Sequence, residues 1–195
     1  MINRMVVSPT KNMVMDRKWG MPSSDTFDCP TIGAFVKRYL YHSDVSIDPF
    51  ARNKQWATHT NDLNKDTNAE YHIKALDFLQ MLLDEGARAD LIIFDPPYST
   101  RQIKECYEGI GEKMQYDDTI NLWQKEKRLC NKLLPIGGVF LCFGWNSIGM
   151  GAKRGFKFVE ILLVSHGRGH NDTICTAEKK AQEQQVLFRQ TGAAR

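Results

Sequence analysis

An uninterrupted apolar run, Leu91-Ile92-Ile93-Phe94, ends directly in Asp95-Pro96-Pro97-Tyr98, and no other stretch restricts the architecture as tightly. A short apolar run behind Ala89-Asp90 reads as a strand buried on both faces, a property of parallel sheets covered by helices. Asp95 then sits at the carboxyl end of that strand, where open α/β sheets carry their ligand crevice. Two consecutive prolines remove two N–H donors and stiffen the turn. The carbonyls of Asp95 and Pro96 are left free to accept hydrogen bonds, beside a carboxylate and an aromatic ring.

That set of groups suits one chemical problem. The exocyclic amine of adenine or cytosine is a poor nucleophile because its lone pair is delocalised into the ring. Two acceptors, the Asp95 carboxylate and the Pro96 carbonyl, can each take an amine hydrogen and stabilise the positive charge that develops as a new bond forms. Tyr98 can stack on the base. No metal is required.

The tetrapeptide resembles the DPPY motif of the amino methyltransferases that use S-adenosylmethionine, chiefly DNA adenine-N6 enzymes and less often cytosine-N4 enzymes. The resemblance implies that Asp95 and the carbonyl of Pro96 bind the target amine, with Pro97 completing the turn, and that Tyr98 stacks on a flipped base. Aspartate in first place is commoner among the adenine enzymes. The order of parts, cofactor segment first and DPPY second, is similar to one subgroup of the family, over residues 25–178.

Strand and helix signals alternate around the motif. A helix is expected at Thr31 to Tyr41 behind Pro30, then strands at Val45 to Ile47, Ala57 to Thr60 and Tyr71 to Lys74. A helix around Ile120 to Leu134 precedes strands at Gly137 to Gly144, Phe156 to Val164 and Thr173 to Thr176. Asp48, Asp62, Asp77 and Asp95 recur at intervals of 14, 15 and 18 residues, the spacing of short strand and helix units in a parallel sheet. The expected fold is therefore α/β: a single-domain, Rossmann-like class I methyltransferase with a mostly parallel seven-stranded sheet and flanking helices.

By order along the chain, the resemblance implies a cofactor pocket for S-adenosylmethionine. Asp48-Pro49-Phe50-Ala51 forms its first turn, Asp62 holds the ribose hydroxyls, and Asp77 and Phe78 flank the adenine, with Thr26 and Phe27 in a segment that closes over the methionine end. A vicinal diol is well served by a carboxylate that accepts two hydrogen bonds. One departure stands out. The family's first turn is glycine-rich, whereas no glycine occurs between Gly33 and Gly86, so close backbone approach to the cofactor is not expected here. Trp145 and Asn146, after the fifth strand, and Arg168, in the turn from Ser165 to Asp172, are candidate contacts to base and phosphate.

Composition bounds the rest. At 195 residues and 42% hydrophobic content, one buried core is expected. Residues 1–24 read as a loosely packed lead-in, 25–180 as the methyltransferase domain and 181–195 as a basic tail. Net charge is +3, too small by itself to indicate nucleic acid. Five scattered cysteines without ligand spacing read as reduced thiols, with no metal site. No stretch has the length of a membrane span and the amino terminus lacks a signal-peptide core, so a cytoplasmic protein is expected, with DNA as partner and no membrane. No separate target-recognition domain is apparent. Selectivity then falls to short loops such as Ser99 to Lys104, to a homodimer or to a partner subunit. Two alternatives remain open on sequence: an RNA adenine-N6 methyltransferase, and a non-catalytic nucleic-acid-binding subunit of a methyltransferase complex.

Overall fold

A computed structural model describes residues 13–111, 123–167 and 169–184. Seven strands form one sheet: β1 (Val14–Trp19), β2 (Ser46–Asp48), β3 (His59–Thr60), β4 (Leu91–Phe94), β5 (Val139–Gly144), β6 (Phe156–Ser165) and β7 (Thr173–Lys180). Their spatial order is β1-β6-β7-β5-β4-β2-β3. All neighbours are parallel except those of β7, which runs antiparallel to both β5 and β6. The expected seven-stranded, mostly parallel α/β architecture is present.

The four apolar residues of β4 are fully buried, and they divide between two cores. Leu91 and Ile93 pack with Phe35, Val36, Leu141 and Phe143 under α1 (Pro30–Leu40). Ile92 and Phe94 face the other side, against Phe78, Leu79 and Leu82 of α2 (Ala75–Asp84) and Leu129 and Leu133 of α4 (Gln124–Leu133). A continuous apolar run, rather than an alternating one, follows from this double cover. Helix α1 begins with Pro30 in its first turn, where the missing N–H costs nothing. Helix α3 (Thr100–Gly109) follows the DPPY turn and is capped by Ser99 Oγ, which accepts the Gln102 N–H at 3.3 Å. It buries only Ile103.

Three sequence readings are corrected. Tyr71 to Lys74 is not a strand: Tyr71 makes one bridge to Asn61. The Asn61 side chain then takes over the pairing, donating to Ile73 O at 3.0 Å and accepting from Ile73 N at 3.2 Å. Within the supposed lead-in, Val14–Trp19 forms the edge strand β1, parallel to β6. All six of its residues are exposed, so pairing of the backbone rather than burial of a face holds it, and no hydrophobic pattern announces it. The short loop expected at Ser99 to Lys104 is instead the start of helix α3. Ile120 and the residues 121–122 at the start of the expected fourth helix, and residues 185–195 of the tail, lie outside the described residues. No helix among the described residues is long and apolar enough to cross a membrane.

Candidate active site

β2, β4 and β5 share one direction, so the turns that follow them meet at one edge of the sheet. There a cavity of about 620 Å³ is lined by Pro49 and Phe50 after β2, Asn61 and Asp62 after β3, all of Asp95 to Tyr98 after β4, and one face of α3 including Gln102 and Cys106. This is within the range of pockets that hold cofactor-sized molecules.

Asp95 is partly buried at the end of β4. Its Oδ1 accepts the Tyr98 hydroxyl at 2.6 Å, and Thr26 Oγ1 stands 3.4 Å from the same hydroxyl. Loss of hydration pushes the Asp95 carboxyl up to about 6, against the lowering effect of the Tyr98 and Thr26 hydroxyls. Burial beside this carboxylate also holds the Tyr98 phenol protonated, above its ordinary range. Across the turn, Trp123 Nε1 donates to Pro97 O at 3.3 Å and its ring packs edge-on against Phe50 at 5.0 Å. Tyr98 meets Trp145 edge-on at 5.7 Å.

The turn after β2 is bent without glycine. Arg52 adopts a positive φ of 49°, the conformation a glycine would otherwise supply. Ala51 is buried and its N–H donates to Asn61 O at 2.9 Å, and Asn61 Nδ2 reaches Pro49 O at 3.2 Å. The bend for which the sequence offers no glycine is thus made by a non-glycine residue in the left-handed region. The Arg52 guanidinium donates to Ser24 O, tying the segment before α1 to this turn.

Asp62 lies on the cavity wall. Its Oδ1 accepts the Asn64 N–H at 2.8 Å and its Oδ2 the Arg52 N–H at 3.1 Å. Burial raises its carboxyl above the usual range, opposed by these two backbone donors. Asp48 is buried behind Pro49 and Phe50, where desolvation holds its carboxyl well above the ordinary value and its Oδ1 accepts the Phe50 N–H at 3.0 Å. It shapes the turn from behind rather than lining the cavity.

Other sequence candidates separate from the site. Asp77 falls in the first turn of α2, where a carboxylate complements the helix dipole, and does not line the cavity; Lys74 and Ala75 do. Phe78 is wholly buried in the core against Tyr71, at 5.4 Å between ring centroids, so it cannot flank a ligand. Phe27 is likewise a core residue, packed on Trp56 and Phe143, whereas its neighbour Thr26 lines the cavity. Asn146 is exposed and its Oδ1 accepts the Ile148 N–H at 2.9 Å. Arg168 lies outside the described residues. Asn61, Arg52, Gln102 and Trp123 are among the wall residues that the sequence did not single out.

No protein-family model and no curated protein sequence matches the chain. Among solved structures it is similar to yhhF, a candidate methyltransferase from Escherichia coli, at TM-score 0.50 and 11% identity over 84% of this chain and 90% of that one. It is also similar to TrmN from Thermus thermophilus at TM-score 0.52 and 15% identity, over 78% of this chain and 49% of that one. The chain thus spans about half the length of TrmN (49%). At these identities the likeness is one of fold, and the fold is the Rossmann-like one of class I methyltransferases.

Proposed function

We propose that the chain transfers a methyl group from S-adenosylmethionine to the N6 amine of adenine in DNA. The observation that carries this reading is the placement of Asp95 to Tyr98: a partly buried carboxylate, two prolines and an aromatic ring on the wall of a cavity at the carboxyl end of the central strand.

The residues present fit the cofactor by the chemistry of their donor set. Each Asp62 oxygen accepts only one backbone N–H and keeps a lone pair for a ribose hydroxyl. The Pro49-Phe50 turn, Thr26, Lys74 and Ala75 supply the remaining contacts on the same wall. The bound cofactor would supply an electrophilic methyl group and leave as the neutral thioether S-adenosylhomocysteine, the surplus proton of the methylated amine passing to solvent.

The chain's own residues do the rest. The Asp95 oxygen left free by Tyr98 accepts one amine hydrogen and the Pro96 carbonyl the other, favouring the pyramidal nitrogen and stabilising its growing positive charge. Tyr98 holds the carboxylate in one orientation and offers a ring beside it. Trp123 fixes the Pro97 carbonyl and hence the path of the proline turn. Positioning supplies much of the acceleration in such a transfer, because none of these groups needs to become covalently attached.

The deciding experiment incubates the purified chain with methyl-labelled S-adenosylmethionine and a mixture of unmodified DNA and RNA, followed by nucleoside mass spectrometry. Labelled N6-methyldeoxyadenosine is expected. A ribose or cytosine product would redirect the substrate assignment, and no product together with no cofactor binding would overturn the enzymatic reading.

A further inference from the structure

Strand β1 closes one end of the sheet, and among the described residues no strand pairs with its outer edge. Gly20 N donates to Ser165 O at 3.1 Å, so the even-numbered residues of this segment turn their N–H and C=O groups toward β6. Backbone groups alternate in direction along a strand, which turns those of Met15, Arg17 and Trp19 outward. An open edge of this kind is a template for a further strand. The side chains add to it. Half of the exposed large apolar side chains among the described residues, those of Met13, Val14, Met15, Trp19 and Met21, fall within this one segment, with Met15 at 69% and Trp19 at 64%. Such a concentration of apolar surface marks a contact site.

The sequence of β1 selects its partner. When a strand pairs antiparallel with a second copy of itself about a two-fold axis normal to the sheet, the faces are kept and only residues of the same face meet. Centred on Asp16, such a pair sets two carboxylates opposite one another; centred on Lys18, it opposes two ammonium groups. Centred on Arg17, it sets Asp16 of each copy opposite Lys18 of the other, and Met15 opposite Trp19. Opposite charges, and a thioether against an aromatic ring, are favourable cross-strand pairs. The same register puts the outward backbone groups of Met15, Arg17 and Trp19 in hydrogen-bonded positions. Its one like-charge pair is Arg17 with Arg17. That guanidinium is drawn inward over β6, donating to Ser165 Oγ from Nε at 3.2 Å and from Nη2 at 3.1 Å, and Ser165 Oγ donates to Asp172 Oδ2 at 3.1 Å. On the other face Asp16 and Lys18 already stand 3.4 Å apart within one strand, so two copies close a ring of four alternating charges.

We infer that β1 is a self-pairing edge: two copies of this chain join through antiparallel β1 strands, centred on Arg17, into one continuous sheet. The interface does not depend on the reaction proposed above. Strands β1, β6, β5 and β4 all run in one direction, and the two-fold axis reverses that direction in the second copy. The Asp95 cavities of the two copies therefore open at opposite edges of the joined sheet.

The test is sedimentation equilibrium of the full chain over a concentration series reaching about 1 mM, in which a reversible dimer is expected. Asp16→Lys and Lys18→Asp each set like charges opposite one another across the interface and should weaken the dimer by about tenfold. Mixing these two variants recreates both opposite-charge pairs and should return the affinity to within about threefold of wild type, a recovery that a misfolded variant could not give. Met15→Pro removes an outward N–H while sparing the pairing to β6, and should weaken the dimer with little change in Tm. A chain that stays monomeric throughout the series overturns the inference. So does a dimer that the charge reversals or the proline leave unchanged, or that the mixture fails to restore, since its contact would then lie elsewhere.

Discussion

The Tyr98 hydroxyl donates to Asp95 Oδ1 at 2.6 Å, so one oxygen of the carboxylate is already satisfied and the other is left for an incoming donor. This division makes Asp95→Asn a sharp substitution. The amide keeps an acceptor for Tyr98 but loses the negative charge that offsets the cationic nitrogen of the substrate. Methyl transfer should fall by about 100-fold or more, with cofactor affinity unchanged in calorimetry. Because ionising a buried carboxylate costs the folded state free energy, the variant's Tm should be equal to or above that of the wild type. A fall in Tm alongside normal turnover would place Asp95 in the scaffold instead.

The raised Asp95 pKa sets a pH limit. In the proposed reaction only the ionised carboxylate offsets the amine's growing positive charge, and burial places its titration at about 6. Turnover should therefore be nearly constant above pH 7 and fall as pH drops through about 6, tenfold per unit once the acid form dominates. Stability runs the other way. The folded carboxyl binds its proton more tightly than an unfolded aspartate, so this group's penalty is absent below about pH 4 and grows as pH rises through 6. Single-turnover rates between pH 5 and 8 measure the first effect.

Tyr98→Phe separates stacking from hydrogen bonding. The ring remains, but Asp95 loses a donor that lowers its pKa. The acid limb of the pH profile should move to higher pH, while turnover at pH 8 stays within a few-fold of wild type. An unshifted limb would mean that the hydroxyl does not govern the carboxylate.

The site was legible in the sequence where chemistry and burial coincide. Leu91 to Phe94 had to be buried on both faces, and that alone places Asp95 at the carboxyl edge of the sheet, where it lines the cavity. Asp77 and Phe78 lie away from the cavity because helix α2 starts at Ala75. Its rotation sends Phe78 inward and leaves Lys74 and Ala75 at the wall, a matter of helical phase that strand-counting cannot resolve. β1 was illegible for another reason. It buries no face, and its partner β6 lies about 146 residues further along the chain, so only nonlocal backbone pairing defines it.

Asp62 offers a cleaner test of cofactor binding than Asp95 does. Its carboxylate already accepts two backbone N–H groups, so Asp62→Ala removes the proposed ribose partner and also loosens the Arg52 turn. A loss of about 10- to 100-fold in S-adenosylmethionine affinity is expected, in line with a charged hydrogen bond. Asp62→Asn, which keeps one of the two backbone acceptances through its single carbonyl oxygen and turns an amide donor toward the other N–H, should fall between. Isothermal titration of both variants checks the order, and equal affinity in all three proteins would remove Asp62 from the pocket.

Arg52 carries the oddest demand in the turn after β2, a side chain at φ 49°. A left-handed residue other than glycine costs roughly 1 kcal/mol. Arg52→Gly relieves that cost but gives up the guanidinium contact to Ser24 O and adds freedom to the unfolded chain. The opposing terms should leave cofactor affinity within about threefold of wild type. Arg52→Ile has no such compensation: a β-branched side chain is a poor occupant of that region, and the Ser24 contact is lost as well. Its Tm should drop by roughly 3–6 °C, taking about 2–4 °C per kcal/mol for a chain of this size, and its cofactor affinity should fall with it, because the same turn carries Pro49 and Phe50 on the cavity wall. If the isoleucine variant matches the glycine variant in both measurements, the left-handed turn does not shape the pocket.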